Sequence, residues 1–169
     1  MVSRIVLVGF PGSGKSTTGK KLSKCLNWEF KDIDSEFEKN YKLSIPFFFQ
    51  KYGEPAFRKC ENQILNNVLT FSNVVISCGG GTPCYENNMA LIVQNSLSIY
   101  LKMSPKSLYD RLSHSKKNRP LIAGMTEREL QQYVDDLLLI REPFYNQAQL
   151  HIKGENLKIT DLYTEIINN

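Results

Sequence analysis

Residues Gly9-Phe10-Pro11-Gly12-Ser13-Gly14-Lys15-Ser16 fill the pattern GxxxxGK[ST] at every fixed position. Glycines at this spacing let successive backbone N–H groups converge on phosphate oxygens. Lys15 would reach the outer phosphates from a solvated mouth, and the Ser16 hydroxyl can ligate Mg2+. The run Ile5–Val8 before the pattern reads as a strand and the segment after it as a helix, whose positive N-terminus would face the same anion. Gly12, Ser13, Gly14, Lys15, Ser16 and Thr17 are therefore the expected nucleotide contacts. The chain contains no DxxG and no NKxD, which disfavours a guanine-reading GTPase.

Other reactive residue types sit where a parallel sheet collects ligands. Asp32-Ile33-Asp34 places two carboxylates at the carboxyl end of a second strand, and alternation would turn both to one side. One acid would support Mg2+, and the other would contact a substrate hydroxyl or take its proton. Capping of the next helix is the structural alternative for Asp34. Across Glu54–Phe71 an apolar stripe joins Phe57, Cys60, Ile64, Val68 and Phe71, with Glu61 inside it and Arg58 on its edge. An inward carboxylate needs a partner, and Arg58 lies one turn back. Glu61 would then aim the Arg58 fork at an anionic substrate group, although the spacing fits a structural ion pair equally well. Arg141 occupies the next core-facing position after Leu130, Val134 and Leu137, so its guanidinium must snorkel out or meet an anion. Gly79-Gly80-Gly81, directly after a third strand, allows backbone to approach a ligand closely. Lys116, Lys117 and Arg119 lie in Ser113–Gly124, a long irregular stretch that would suit a mobile phosphoryl-transfer lid. A solvated charge run is the alternative for the two lysines.

Alternating elements must position these residues. Strands are expected at Arg4–Val8, Trp28–Ile33, Val74–Ser77, Leu97–Leu101 and Gln149–Ile152. Helices are expected at Ser16–Leu26, Asp34–Tyr41, Ser44–Tyr52, Glu54–Phe71, Glu86–Gln94, from Pro105 through Arg111, from a Thr126/Glu129 capping box to about Ala148, and at Thr160–Ile167. This alternation predicts an α/β fold with a mostly parallel sheet.

The 169 residues suit a single domain, 1–169, and 41% hydrophobic with 22% charged residues excludes a disordered chain. The 21 Lys and Arg exceed the 17 Asp and Glu by four, and they are dispersed, which argues against a general nucleic-acid binder. The longest apolar runs fall far short of the ~18 residues of a membrane span. Cys25, Cys60, Cys78 and Cys84 form no CxxC and no zinc pattern, so they are expected as reduced, mostly buried thiols in a cytoplasmic protein.

The ensemble GFPGSGKST at 9–17, DID at 32–34, GEPAFRKCE at 53–61, GGG at 79–81, RPL at 119–121 and REPFY at 141–145 resembles the shikimate kinase family over nearly the whole chain. The resemblance implies a P-loop NTPase-type three-layer sandwich with a five-stranded parallel sheet in order 2-3-1-4-5. It also implies substrate-binding helices at about 34–61, a mobile lid at about 113–124, and a monomer acting on ATP and shikimate. Its expected activity is transfer of phosphate from ATP to the 3-hydroxyl of shikimate in aromatic amino-acid biosynthesis. By this resemblance Ser16 and Asp32 would serve Mg2+, and Asp34 would contact ring hydroxyls and take a proton. Arg58 and Arg141 would bind the substrate carboxylate, with Gly80, between Gly79 and Gly81, completing the pocket. Lys15 and Arg119 would act on the phosphates, and Arg111 would stack on adenine. Three features depart from the family pattern: Lys153–Ile159 lacks a proline, Cys78 replaces a small hydroxyl residue, and Asn40 and Lys42 stand where glycine is common. A kinase for another small acceptor, such as gluconate or a nucleoside monophosphate, is the alternative; the loop's single arginine, Arg119, speaks against the second.

Overall fold

The computed structural model describes residues 2–115 and 122–167. Its strands β1 (Arg4–Val8), β2 (Glu29–Asp32), β3 (Val74–Ser77), β4 (Leu97–Lys102) and β5 (Leu150–Lys153) form one sheet in the order β2-β3-β1-β4-β5. Every pairing is parallel, with Val6 opposite Ile76 and Leu7 opposite Ile99. The helices are α1 (Lys15–Leu26), α2 (Ile33–Tyr41), α3 (Ile45–Val68), α4 (Asn88–Asn95), α5 (Pro105–Ser113), α6 (Glu127–Tyr145) and α7 (Ile159–Ile167).

Alternation along the strands feeds two cores. Ile5, Leu7, Val75, Ile99 and Leu101 pack with Leu22 of α1 and with Leu162 and Ile166 of α7. Val6, Val8, Val74, Ile76 and Tyr100 face α2 to α6 on the other side. The result is the expected three-layer sandwich, with all five strands ending at one edge.

Two devices set the helices that border that edge. Gly53 breaks α3 with φ 77° and ψ 169°, so Ser44-capped Ile45–Tyr52 and the segment from Glu54 onward run as two pieces. A cluster of rings then clamps them to α2, with Phe37 centred 4.9 Å from Phe48 and 4.8 Å from Phe57. Such pairs contribute ~1 kcal/mol each beyond area burial.

Several expected boundaries move. β2 stops at Asp32, because that residue caps α2: its Oδ1 accepts from the Ser35 N–H, and Ile33 is already helical. The two carboxylates of 32–34 therefore owe their placement to a strand-to-helix turn rather than to strand alternation. α3 ends at Val68, where the Thr70 N–H and hydroxyl both close back on the Asn67 carbonyl, leaving Phe71 38% exposed. On α6 the buried stripe is Leu130, Val134, Leu138 and Tyr145, with Leu137 and Arg141 half-buried beside it. The four thiols are free, but only Cys78 is buried; Cys60 and Cys84 are half-buried and Cys25 is exposed. No helix among the described residues is long and apolar enough to cross a membrane.

Candidate active site

A cleft of about 460 Å³ opens at the carboxyl edge, lined by Pro11, Gly12, Gly14–Thr17, Asp34, Cys78–Gly80, Arg111 and Ser115. Its floor is the loop between β1 and α1, where Gly14 caps the helix in the left-handed conformation. Contrary to a solvated mouth, Lys15 is only 7% exposed, and its ammonium donates to the Gly9 and Phe10 carbonyls at 2.9 Å each. The Ser13 hydroxyl is buried without a hydrogen-bond partner among the described residues. Arg111 donates to the Ser13 carbonyl at 3.2 Å, so α5 braces the loop from its far side.

Next to the loop, Ser16 Oγ donates to Asp32 Oδ2 at 2.6 Å and lies 3.3 Å from Ser77 Oγ. These are hard oxygen donors of the kind Mg2+ selects, and Mg2+ needs only one or two protein ligands when phosphates and water supply the rest. Asp34 faces the same space one residue into α2. Its carboxyl is pushed up to about 6, first by desolvation, then by repulsion from Asp32 and Glu61, against the pull of Lys15. By surface area Asp34 is nonetheless exposed along the cleft, so the neighbouring carboxylates are the firmer cause of the shift.

Close approach explains the glycines opposite. A β-carbon on Gly79 would stand 2.8 Å from Asp34 Oδ1, and one on Gly80 would stand 2.5 Å from Pro11 Cδ. The glycine turn is thus wedged between the phosphate loop and α2. Behind it lies a buried network: Glu61, 2% exposed, accepts from Thr82 Oγ1 at 2.6 Å and from Arg58 Nη1 at 2.8 Å. The inward carboxylate expected at Glu61 is therefore present and paired.

Arg58 also donates through Nε and Nη2 to Glu54 Oε1, at 3.1 and 3.0 Å. Of its five N–H hydrogens, one on each terminal nitrogen remains, enough for a planar carboxylate. The charge of Arg141 also acts on Glu54 and, together with Arg58, on Cys84. The Tyr85 hydroxyl first, then Arg58, hold the Glu54 carboxylate below its ordinary value against desolvation. Neither Arg58 nor Arg141 lines the cleft itself; a β-carbon on Gly81 would stand 2.8 Å from Arg58 Nη2, so Arg58 abuts the glycine turn.

Sequence reasoning located Lys15, Ser16, Asp32, Asp34, Arg58, Glu61, Gly79–Gly81, Arg111 and Arg141, and the structure gathers them along one edge. It did not find Glu54, Thr82 or Tyr85. Glu54 was legible in principle, lying four residues before Arg58. Arg119, Lys116 and Lys117 lie outside the described residues.

Known proteins share this sequence pattern and fold. A family model described as Shikimate kinase matches residues 11–169. A shikimate kinase of Flavobacterium johnsoniae is 41% identical over 169 residues, 99% of this chain and 98% of that protein. The crystal structure of shikimate kinase from Bacteroides thetaiotaomicron superposes with a TM-score of 0.94 at 33% identity, covering 100% of both chains. That of Acinetobacter baumannii shikimate kinase in complex with shikimate gives 0.87 at 32% identity, covering 99% of this chain and 92% of that one.

Proposed function

The chain belongs to the shikimate kinase family, and we propose on that premise that it transfers the terminal phosphoryl group of ATP to the 3-hydroxyl of shikimate. The observation that carries this reading is a phosphate-binding loop facing Asp34 and the Gly79–Gly80 turn across one cleft, with Glu61-paired Arg58 against Gly81.

Each residue has a task the geometry suits. Backbone N–H groups of Gly12–Thr17 receive the phosphates, and Lys15 exchanges its two carbonyl partners for phosphate oxygens. Ser16 and Asp32 would hold Mg2+, which neutralises charge on the transferring group when bound. Asp34 orients the acceptor hydroxyl and takes its proton, a role favoured by a carboxyl raised toward neutrality. Arg58 and Arg141 hold the acid group of the ring, with Glu61 fixing the first of them and Gly79–Gly81 forming the wall. Arg111 borders the nucleotide end of the cleft and is assigned to adenine. Arg119 is assigned to the ATP phosphates on the family resemblance alone. The reading includes a cytoplasmic monomer with no nucleic-acid or membrane partner, in keeping with four free cysteines and modest net charge.

Incubation of the protein with ATP, Mg2+ and shikimate, followed by phosphorus NMR, tests the chemistry. The expected product is a single phosphomonoester coupled to the ring proton at carbon 3. Phosphate on another ring position, or none, would contradict the assignment.

A further inference from the structure

Arg58 sits between two carboxylates, Glu54 and Glu61, which take three of its five N–H hydrogens and hold the guanidinium in place. Tyr85 covers its face. Its ring centre lies 3.8 Å from Arg58 Cζ, a stacking distance, while Phe57 stands off at 5.1 Å. The Tyr85 hydroxyl donates to Glu54 Oε1, the same oxygen that accepts Arg58 Nε and Nη2. One side chain therefore grips both the arginine and its counterion.

The loop bearing Tyr85 is itself anchored. Tyr85 follows the short 3-10 turn Thr82–Cys84, whose first residue bonds to Glu61. Asn88, 1% exposed, donates to the Thr82 carbonyl and accepts from Asn62 of α3 at 2.6 Å. Glu86, the next residue, holds a left-handed φ of 47°, a conformation that L side chains rarely adopt. The backbone thus accepts strain immediately beside the ring.

We infer that Tyr85 is a positioning residue for acceptor recognition: it keeps Glu54 on the Nε side of Arg58, so that the remaining hydrogens of the two terminal nitrogens stay available for the substrate carboxylate. Without the ring and its hydroxyl, Glu54 is released to rotate onto that pair and compete with the ligand. This rests on the shikimate kinase reading and deepens it.

Steady-state kinetics of Tyr85→Leu and Tyr85→Phe test it, with shikimate, shikimate methyl ester and ATP varied in turn and unfolding temperatures taken alongside. Tyr85→Leu is expected to raise KM for shikimate about tenfold. KM for ATP should not move, and kcat should stay within about twofold. Tyr85→Phe keeps the stacked ring but loses the hydroxyl's hold on Glu54, so it should recover only part of the loss. The preference for shikimate over its ester should shrink in Tyr85→Leu by the same factor, because only the carboxylate contact is weakened. An active wild type whose Tyr85→Leu variant keeps its KM, or loses acid and ester equally, overturns the role of Tyr85 while leaving the function intact. A wild type that does not turn over shikimate overturns the function, and this inference with it.

Discussion

The Ser16 hydroxyl donates to Asp32 Oδ2 at 2.6 Å, joining the first turn of α1 to the end of β2, while Asp32 Oδ1 caps α2. One carboxylate thus serves both the pair proposed to hold Mg2+ and a helix terminus. Asparagine caps about as well as aspartate, so Asp32→Asn should change stability by no more than ~0.5 kcal/mol. Loss of the charge beside Ser16 should lower kcat at least ~10-fold and raise the Mg2+ concentration for half-maximal rate. Turnover against Mg2+, paired with a thermal melt, checks this. Wild-type turnover at equal Mg2+ would remove Asp32 from the metal site.

Lys15→Met retains length and removes the ammonium. Turnover should fall at least ~10²-fold, since charge on the transferring group is left unneutralised. The two bonds to the Gly9 and Phe10 carbonyls also disappear, at a cost of ~1 kcal/mol. The midpoint of a thermal melt should drop by about 2–4 °C. Near-normal activity would contradict the assignment of this loop.

The phosphate loop was readable in the sequence because all its contacts fall within eight consecutive residues. Strand order and the pairing of Glu61 with Arg58 were legible from the resemblance and from helical spacing. The burial of Lys15 was not, because its partners are carbonyls of its own loop, which side-chain patterns do not reveal. Ile33 was expected in the strand but opens α2, since a strand end and a first helical turn carry the same composition; Asp32 both ends β2 and caps α2. Tyr85 escaped notice because its neighbours, Arg58 and Glu54, lie some 30 residues away and meet it only through the Gly53 break and the turn at Thr82–Cys84. Cys25, counted among thiols expected to be mostly buried, is exposed.

Arg141→Lys retains the charge and loses the fork. KM for shikimate should rise about tenfold or more while KM for ATP stays put. Initial rates with each substrate varied give both values. Equal rises would make Arg141 a structural residue of α6.

Thiol reactivity follows burial. The Cys78 thiol is pushed far up by desolvation, then by the Glu61 carboxylate, so it stays protonated and unreactive across the accessible range. Cys84 is pushed up to about 11, again mainly by burial, so it is neutral below that pH and its alkylation should accelerate as pH rises toward it. Iodoacetamide at pH 8, followed by peptide mass analysis, should label exposed Cys25 first and leave Cys78 intact. Rapid labelling of Cys78 in the folded protein would contradict the packing behind the glycine turn.

Lys42 closes α2 at φ 55°, in the left-handed region. Glycine adopts that region without steric cost, so Lys42→Gly should stabilise the fold by up to ~1 kcal/mol, or about 2–4 °C in melting temperature. A lower melting temperature would show that the lysine side chain contributes more than its backbone costs.

Phosphorylation of shikimate in this cleft is read out by a coupled assay of ADP release, run with shikimate, gluconate, AMP and no acceptor under identical ATP and Mg2+. The kcat/KM for shikimate should exceed that for either alternative acceptor by at least ~10³-fold, with release near background when no acceptor is present. Equal or greater turnover of gluconate or AMP would contradict it, as would ADP release that is indifferent to shikimate.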